Sequence, residues 1–150
     1  MLGHLGLNVP DLRRAKEYYD QVMPALGFVS FLSHDDEFAY CPADGKRGTY
    51  IFFYPAEATN VYDRRRPGLQ HLAFMVKTRT AVHEMHGLAV SLGAEIVHEP
   101  REFPEYTPPY YATFWRDPFG FMLEAVCHYD MRSPLRSVRP RSVVNRATSR

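Results

Sequence analysis

HLGLNV at residues 4–9 recurs as HLAFMV at residues 71–76, in the shared frame H-L-x-x-x-V. Each stretch precedes a helical pattern of apolar residues that ends at a Leu-Gly pair, at residues 26–27 and 92–93. Strand-like runs follow both pairs. Because the same order occurs twice, the sequence predicts two half-modules of about 65 residues each.

Turn and capping residues give the boundaries of the predicted elements. Asp11 is placed to cap a first helix that ends at Gly27, and a second helix is predicted at about residues 80–92. We predict further strands at residues 28–33, 37–41, 50–54, 96–99, 110–116 and 121–128. The segment 100–109 is rich in proline and aromatic rings, and we interpret it as a lid or rim.

Composition limits the protein to a few broad classes. With 150 residues, of which 45% are hydrophobic, the chain has the size of one ordinary domain with a real core. It contains no export signal and no run of about 18 apolar residues, so we expect neither secretion nor a membrane span. Cys41 and Cys127 are too few for a disulfide framework, which favours a cytoplasmic location.

Charge divides the chain into two parts. Residues 1–130, with half-modules at about 1–66 and 67–130, contain all seventeen acidic residues and twelve basic ones, a net charge of −5. Residues 131–150 form a basic tail with six arginines and no acid. Such a tail can bind nucleic acid or an anionic partner. Since no nucleic-acid-binding motif accompanies it, we expect a solvated or partner-packed extension and no nucleic-acid partner.

Three residues are candidate metal ligands. His4 and His71 open equivalent strands of the two halves, so quasi-twofold packing would bring both imidazoles to one site. Glu124 lies in the most apolar predicted strand, where a carboxylate must be paired, hydrogen-bonded or bound to a metal to offset its burial. Two imidazoles and one carboxylate suit Fe(II), and also Zn, Mn, Co or Ni.

These features resemble the vicinal oxygen chelate superfamily, which includes glyoxalases, bleomycin resistance proteins and ring-cleaving dioxygenases. The resemblance rests on the strand-opening histidines, the Leu-Gly pairs and the ending D-P-x-G-x-x-x-E at residues 117–124. It implies an α+β fold in which two βαβββ modules form a cupped, mixed eight-stranded sheet with the helices outside. It also implies a homodimer, and one divalent metal ion at His4, His71 and Glu124 that chelates adjacent oxygens of a small substrate.

The sequence departs from each subfamily at a catalytic position. Glyoxalase I enzymes have a second glutamate where this chain has Phe52 or Phe53, unless a shifted strand brings Glu57 there. Extradiol dioxygenases and fosfomycin-inactivating transferases have a tyrosine where Phe114 stands. The bleomycin-binding branch lacks the ligands that this chain retains. The resemblance therefore implies a fold and a metal site without naming a reaction.

Further residues are predicted to line a substrate pocket. Because side chains alternate along a strand, one of Tyr110 and Tyr111 faces the cup. The hydroxyl of that tyrosine could donate to a metal-bound oxyanion, or its ring could have a packing role only. The predicted pocket residues are Phe52, Phe53, Tyr110, Tyr111 and Phe114. The arginines at residues 64–66 could meet an anionic substrate or remain solvated.

These inferences favour a metal-dependent enzyme, a lyase or an isomerase, in which Glu124 is a ligand and the candidate base. Two alternatives remain open. The first is a resistance protein that binds a small molecule or drug without catalysis, and the second is a ring-cleaving Fe(II) dioxygenase. The metal content of the purified protein separates the three hypotheses.

Overall fold

The computed structural model describes residues 2–58 and 62–129. In chain order the elements are β1 (His4–Val9), α1 (Leu12–Ala25), β2 (Phe28–Ser33), β3 (Phe38–Pro42), β4 (Tyr50–Pro55), β5 (Leu72–Met75), α2 (Arg79–Ser91), β6 (Glu95–Glu102), β7 (Tyr111–Arg116) and β8 (Met122–Cys127). The predicted basic tail at residues 131–150 lies outside the described residues. Neither of the two described helices has the length and apolar character needed to cross a membrane.

The strands form two four-stranded sheets with the same topology. The first sheet has the order β1-β4-β3-β2 and the second has the order β5-β8-β7-β6. In each sheet the pair at one edge is parallel, β1 with β4 in the first sheet and β5 with β8 in the second. The other pairs are antiparallel. The α+β class and the two βαβββ modules are therefore confirmed. Within the described residues the eight strands form two sheets, because β1 and β5 each have one edge without a partner strand.

Side-chain caps and glycines set the limits of the helices. Asp11 and Thr78 each accept a hydrogen bond from the backbone N–H three residues later, at 2.9 and 3.1 Å. These bonds satisfy amides that have no partner inside the helix. Gly27 and Gly93 follow the two helices with φ angles of 84° and 71°, a backbone conformation that other residues rarely adopt. The two Leu-Gly pairs of the sequence are thus helix ends.

Strand β6 is longer than predicted, because it continues from Glu95 to Glu102 through Pro100. The first three residues of the segment 100–109, which the sequence predicted to be a lid or rim, therefore belong to a strand. β6 is an edge strand, and its register against β7 shifts on both sides of His98. A proline, which has no N–H to donate, is tolerated in such an irregular edge strand.

One hydrophobic core lies between the helices and both sheets. Leu7 and Val9 of the first sheet and Trp115 and Leu123 of the second belong to this single cluster. The Trp115 indole N–H donates to the Tyr18 hydroxyl of α1 at 2.9 Å, which joins the two modules. Because side chains alternate along a strand, the other face of each sheet points away from this core. We call these two surfaces the outer faces of the first and second sheets.

The predicted turn between β7 and β8 is built around Asp117. Its carboxylate accepts hydrogen bonds from the backbone N–H groups of Phe119 and Phe121, at 2.9 and 2.8 Å, and from the Tyr19 hydroxyl at 2.9 Å. Burial raises the pKa of Asp117, and these hydrogen bonds oppose that rise. The turn ties the start of β8 to α1, and so fixes the position of Glu124 two residues into the strand.

Candidate functional site

A cavity of about 910 Å³ lies on the outer face of the second sheet. Its walls combine imidazoles, aromatic rings and a few charged side chains, among them those of Arg64, His71, His98, Phe114, Glu124 and His128. Met122 and Glu124 of β8 and Phe114 of β7 all project to this side, as strand alternation requires.

Glu124 and His71 meet in this cavity. Glu124 is fully buried in the middle of β8, whereas the His71 side chain is 34% exposed just before β5. His71 Nε2 lies 3.1 Å from Glu124 Oε2. The pair is not oriented as a hydrogen bond, since Oε2 has no hydrogen-bond partner among the described residues. The other ring nitrogen of His71 contacts the side-chain oxygen of Gln70, to which it can donate a proton; in that tautomer Nε2 is free to bind a metal ion.

Tyr110 holds the second oxygen of the same carboxylate. Its hydroxyl donates to Glu124 Oε1 at 2.5 Å. Burial raises the pKa of Glu124, while Tyr110, His71 and His128 oppose the rise by favouring its charged form. The pKa of Tyr110 is also raised, first by burial and then by its bond to Glu124. The hydroxyl therefore keeps its proton and remains a donor.

His4, the third predicted ligand, lies elsewhere in the chain. It is exposed on the outer face of the first sheet, where its ring contacts Phe52 with 5.7 Å between ring centroids. It does not line the cavity that contains His71 and Glu124. Over residues 2–58 and 62–129, no three His, Cys, Asp or Glu side chains are grouped closely enough to hold a metal ion. One chain therefore brings together two of the three predicted ligands.

The strand register identifies the repeat counterpart of Glu124. Glu124 is aligned with Ala73, two residues after His71, and Phe52 is aligned with Gly6, two residues after His4. Phe52 therefore occupies in the first module the place that Glu124 occupies in the second. The neighbouring Phe53 is buried in the core, stacked on Phe38, and does not reach the outer face.

The two adjacent tyrosines point to opposite sides of the second sheet. Tyr110 lines the cavity, together with the predicted pocket residue Phe114. Tyr111 faces α2, where its hydroxyl lies 2.9 Å from His83 Nε2 and its ring lies under the Arg79 guanidinium. Of the predicted pocket residues, Tyr110 and Phe114 thus line this cavity, and Phe52 lies beside His4. Phe53 and Tyr111 face the core side of their sheets.

Two histidines of the cavity, His98 and His128, were not predicted from the sequence. The His128 ring packs against Tyr110, with 4.9 Å between ring centroids, and the His98 ring packs against Phe114 at 5.5 Å. His128 follows Glu124 by four residues, so strand alternation alone would have placed both on one face. The direction of His98 depends on the irregular register of β6, which no sequence pattern reveals.

Comparisons with known proteins agree with this architecture. The family model described as Glyoxalase/Bleomycin resistance protein/Dioxygenase superfamily matches residues 1–125. A Bacillus halodurans protein assigned as a glyoxalase is 31% identical in sequence, with a TM-score of 0.73 over 85% of this chain and 95% of that one. No curated protein matches the chain.

More distant solved structures share the fold. A glyoxylase/bleomycin resistance protein/dioxygenase domain from Frankia sp. EAN1pec is 22% identical, with a TM-score of 0.65 over 86% of this chain and 98% of that one. Lactoylglutathione lyase from Agrobacterium tumefaciens is 20% identical, with a TM-score of 0.58 over 85% and 92% of the two chains. The family match and the 31% identical structure lead to one conclusion: the chain belongs to the glyoxalase/bleomycin resistance protein/dioxygenase superfamily.

Proposed function

We propose that the protein is a metal-dependent enzyme, a lyase or an isomerase, which acts on a small substrate through two adjacent oxygens. Its metal ligands are His71 and Glu124 of one chain and His4 of a second copy. The observation that carries the proposal is Glu124 Oε2, a buried carboxylate oxygen without a hydrogen bond, 3.1 Å from an imidazole nitrogen. Burial of a carboxylate is costly unless a positive charge offsets it, and a metal ion held between Nε2 and Oε2 would do so more strongly than the imidazole alone.

The geometry of this pair fits a shared metal ion. Metal bonds to imidazole nitrogen and carboxylate oxygen are about 2.1 Å long, so two ligands at tetrahedral or octahedral angles lie about 3.0 to 3.4 Å apart. The distance of 3.1 Å between His71 Nε2 and Glu124 Oε2 falls within that range. Gln70 at Nδ1 of His71 and Tyr110 at Oε1 of Glu124 orient the two ligands, as partners of metal ligands commonly do.

A second copy of the chain supplies the missing ligand in this proposal. The outer faces of both sheets point away from the shared core, which separates His4 from Glu124 within one chain. No described strand pairs with the outer edges of β1 and β5, so these edges can meet their counterparts in a partner. Apolar side chains on the outer faces are exposed, including Phe31 at 52% and Met75 at 73%. A symmetric dimer that places the first sheet of one copy beside the second sheet of the other covers them and forms a cup.

The metal ion and Glu124 have separate roles in the proposed reaction. A divalent ion, when bound, supplies Lewis acidity toward a substrate that chelates it through adjacent oxygens. Glu124 would help to hold the ion, and it is also the buried carboxylate of the cavity that could accept a proton from the substrate. Phe52, at the counterpart position, can neither bind metal nor move a proton. We therefore expect weak or absent activity on the glutathione hemithioacetal, the substrate of glyoxalase I enzymes, because Phe52 stands where those enzymes have their second glutamate.

One observation also favours a second candidate, a protein that binds a small aromatic molecule without turning it over. The cavity wall contains the rings of Tyr106, Tyr110 and Phe114, which offer stacking surfaces to a planar ligand. In that case the cavity would bind its ligand equally well with and without metal. An Fe(II) dioxygenase would use the same three ligands and would be recognised by its iron.

Metal analysis of protein purified without added metals tests the proposal. We expect about one divalent ion per chain, most of which is lost in His71→Ala because two protein ligands hold an ion poorly. His83→Ala is the matched control, since that imidazole faces Tyr111 on the other side of the sheet. Zinc or nickel favours a lyase or isomerase, and iron favours the dioxygenase. Full occupancy in His71→Ala would contradict the ligand assignment.

A further inference from the structure

Arg64 brings a positive charge into the cavity beside the candidate metal ligands. Among the described residues that line the cavity, it is the single lysine or arginine. Its Nη1 lies 3.4 Å from the Met122 sulfur, which is a weak acceptor, and its side chain is partly buried. The guanidinium has no ion-pair partner within the described part of the chain.

Among the described residues, the nearby carboxylates do not neutralise this charge. Asp63 pairs with Arg66 at 3.7 Å, and Glu105, at the cavity wall, pairs with Arg101 at 3.4 Å. Glu124 is engaged by Tyr110 and His71. Arg64 is half-buried and has no anionic partner among residues 2–58 and 62–129. Because such a guanidinium has already lost part of its hydration, it pairs favourably with an anionic group of a ligand.

We propose that Arg64 binds a carboxylate of the substrate while the opposite end of the substrate chelates the metal ion. The assignment rests on the proposed function, because the chelating end is defined by His71 and Glu124. It identifies the substrate as a small acid with two adjacent oxygens at one end and a carboxylate at the other. Arginine is suited to this task since its planar fork pairs with both oxygens of a carboxylate.

The strand geometry gives the length of that substrate. Met122, which contacts Arg64, and Glu124 are two residues apart on the same face of β8, a separation of roughly 7 Å. This backbone spacing sets the scale of the substrate that we propose, in which the carboxylate and the chelating oxygens lie at opposite ends of one small molecule. The rings of Tyr106, Tyr110 and Phe114 line the same cavity, so a planar spacer such as a benzene ring fits between the two ends.

Two hydroxamates of matched shape test the assignment. 4-Carboxybenzohydroxamate and 4-methylbenzohydroxamate both chelate metals through adjacent oxygens, and they differ in the charge at the far end of the ring. Their dissociation constants are measured by titration calorimetry on the metal-loaded protein, on Arg64→Gln and on Arg65→Gln. Arg65 is the matched control because it is exposed in the same loop and does not line the cavity.

We expect the wild-type protein and Arg65→Gln to bind the carboxylate probe roughly 10- to 100-fold more tightly than the methyl probe, as for a charged hydrogen bond. In Arg64→Gln the two probes should bind about equally, with the methyl probe unchanged. Binding of both probes without this preference, or a preference that survives in Arg64→Gln, would overturn the role of Arg64 and leave the metal site intact. Failure of both probes to bind the metal-loaded protein would instead overturn the proposed function and the inference with it.

Discussion

The two oxygens of Glu124 have different surroundings. Oε1 accepts a short hydrogen bond from Tyr110, whereas Oε2 lies beside His71 Nε2 without a hydrogen bond. The tyrosine fixes the orientation of the carboxylate and leaves one lone pair for another partner. Such an arrangement is typical of a ligand held by a second residue behind it, since a fixed ligand loses little freedom when it binds an ion.

Replacing Tyr110 with phenylalanine tests this orientation. The change removes one hydroxyl, leaves Glu124 free to rotate, and should weaken metal binding by about 10-fold or more. The measurement is a competition with a chelator of known affinity. Tyr111→Phe is the control, because its hydroxyl contacts His83 on the opposite side of the sheet. Equal metal affinities in the two variants would show that the hydroxyl of Tyr110 does not position the carboxylate.

At the scale of the elements, equivalent strands of the two modules carry different residues at the position that matters for the proposed metal centre. β8 carries Glu124 beside the strand that His71 precedes, and β4 carries Phe52 beside the strand that His4 opens. The Phe52 ring contacts the His4 ring and also packs near Phe31. The proposed metal centre therefore has a carboxylate on one side and a ring on the other, which leaves coordination positions open to the substrate.

Introducing a carboxylate at Phe52 tests the equivalence of the two modules. Phe52→Glu should tighten metal binding by about 10-fold, because a fourth protein ligand is added next to His4. Tyr54→Glu is the control, since it adds the same charge to the same face of β4 but is aligned with Asn8. The affinities are compared by chelator competition. If both variants bind metal alike, the effect is one of charge alone and the predicted equivalence is wrong.

Local patterns in the sequence were enough to predict most elements and the candidate ligands. Leu-Gly pairs end helices because glycine tolerates positive φ, and Glu124 was identified because a carboxylate is costly in an apolar strand. Periodicity left the choice between Phe52 and Phe53 open, and the register with β1 settled it. The continuation of β6 through Pro100 depends on edge position and register shifts, which are properties of the sheet and not of local sequence.

At the scale of the whole molecule, the packing of the modules decides where the candidate ligands lie. Both helices and the inner faces of both sheets contribute to one core, and Trp115 and Tyr18 join the modules across it. The repeat in the sequence predicted that His4 and His71 are equivalent. It contained no information on whether equivalent strands meet within one chain or between two, because that choice depends on long-range packing.

The most direct test of the shared metal site is a mixed dimer of His4→Ala and Glu124→Ala chains, co-expressed with different tags and purified through both. In a homodimer of either variant, both of the proposed metal sites lack one protein ligand, His4 in the first variant and Glu124 in the second. The mixed dimer contains one intact site, formed by His4 of one chain and by His71 and Glu124 of the other.

We expect the mixed dimer to recover about half an ion per chain, while each homodimer binds little. A mixed dimer of His71→Ala and Glu124→Ala chains is the control, because neither of its sites is intact. Recovery of metal in the first mixture and not in the control is the predicted result. Metal content in the first mixture as low as in the homodimers would contradict a site shared between two copies.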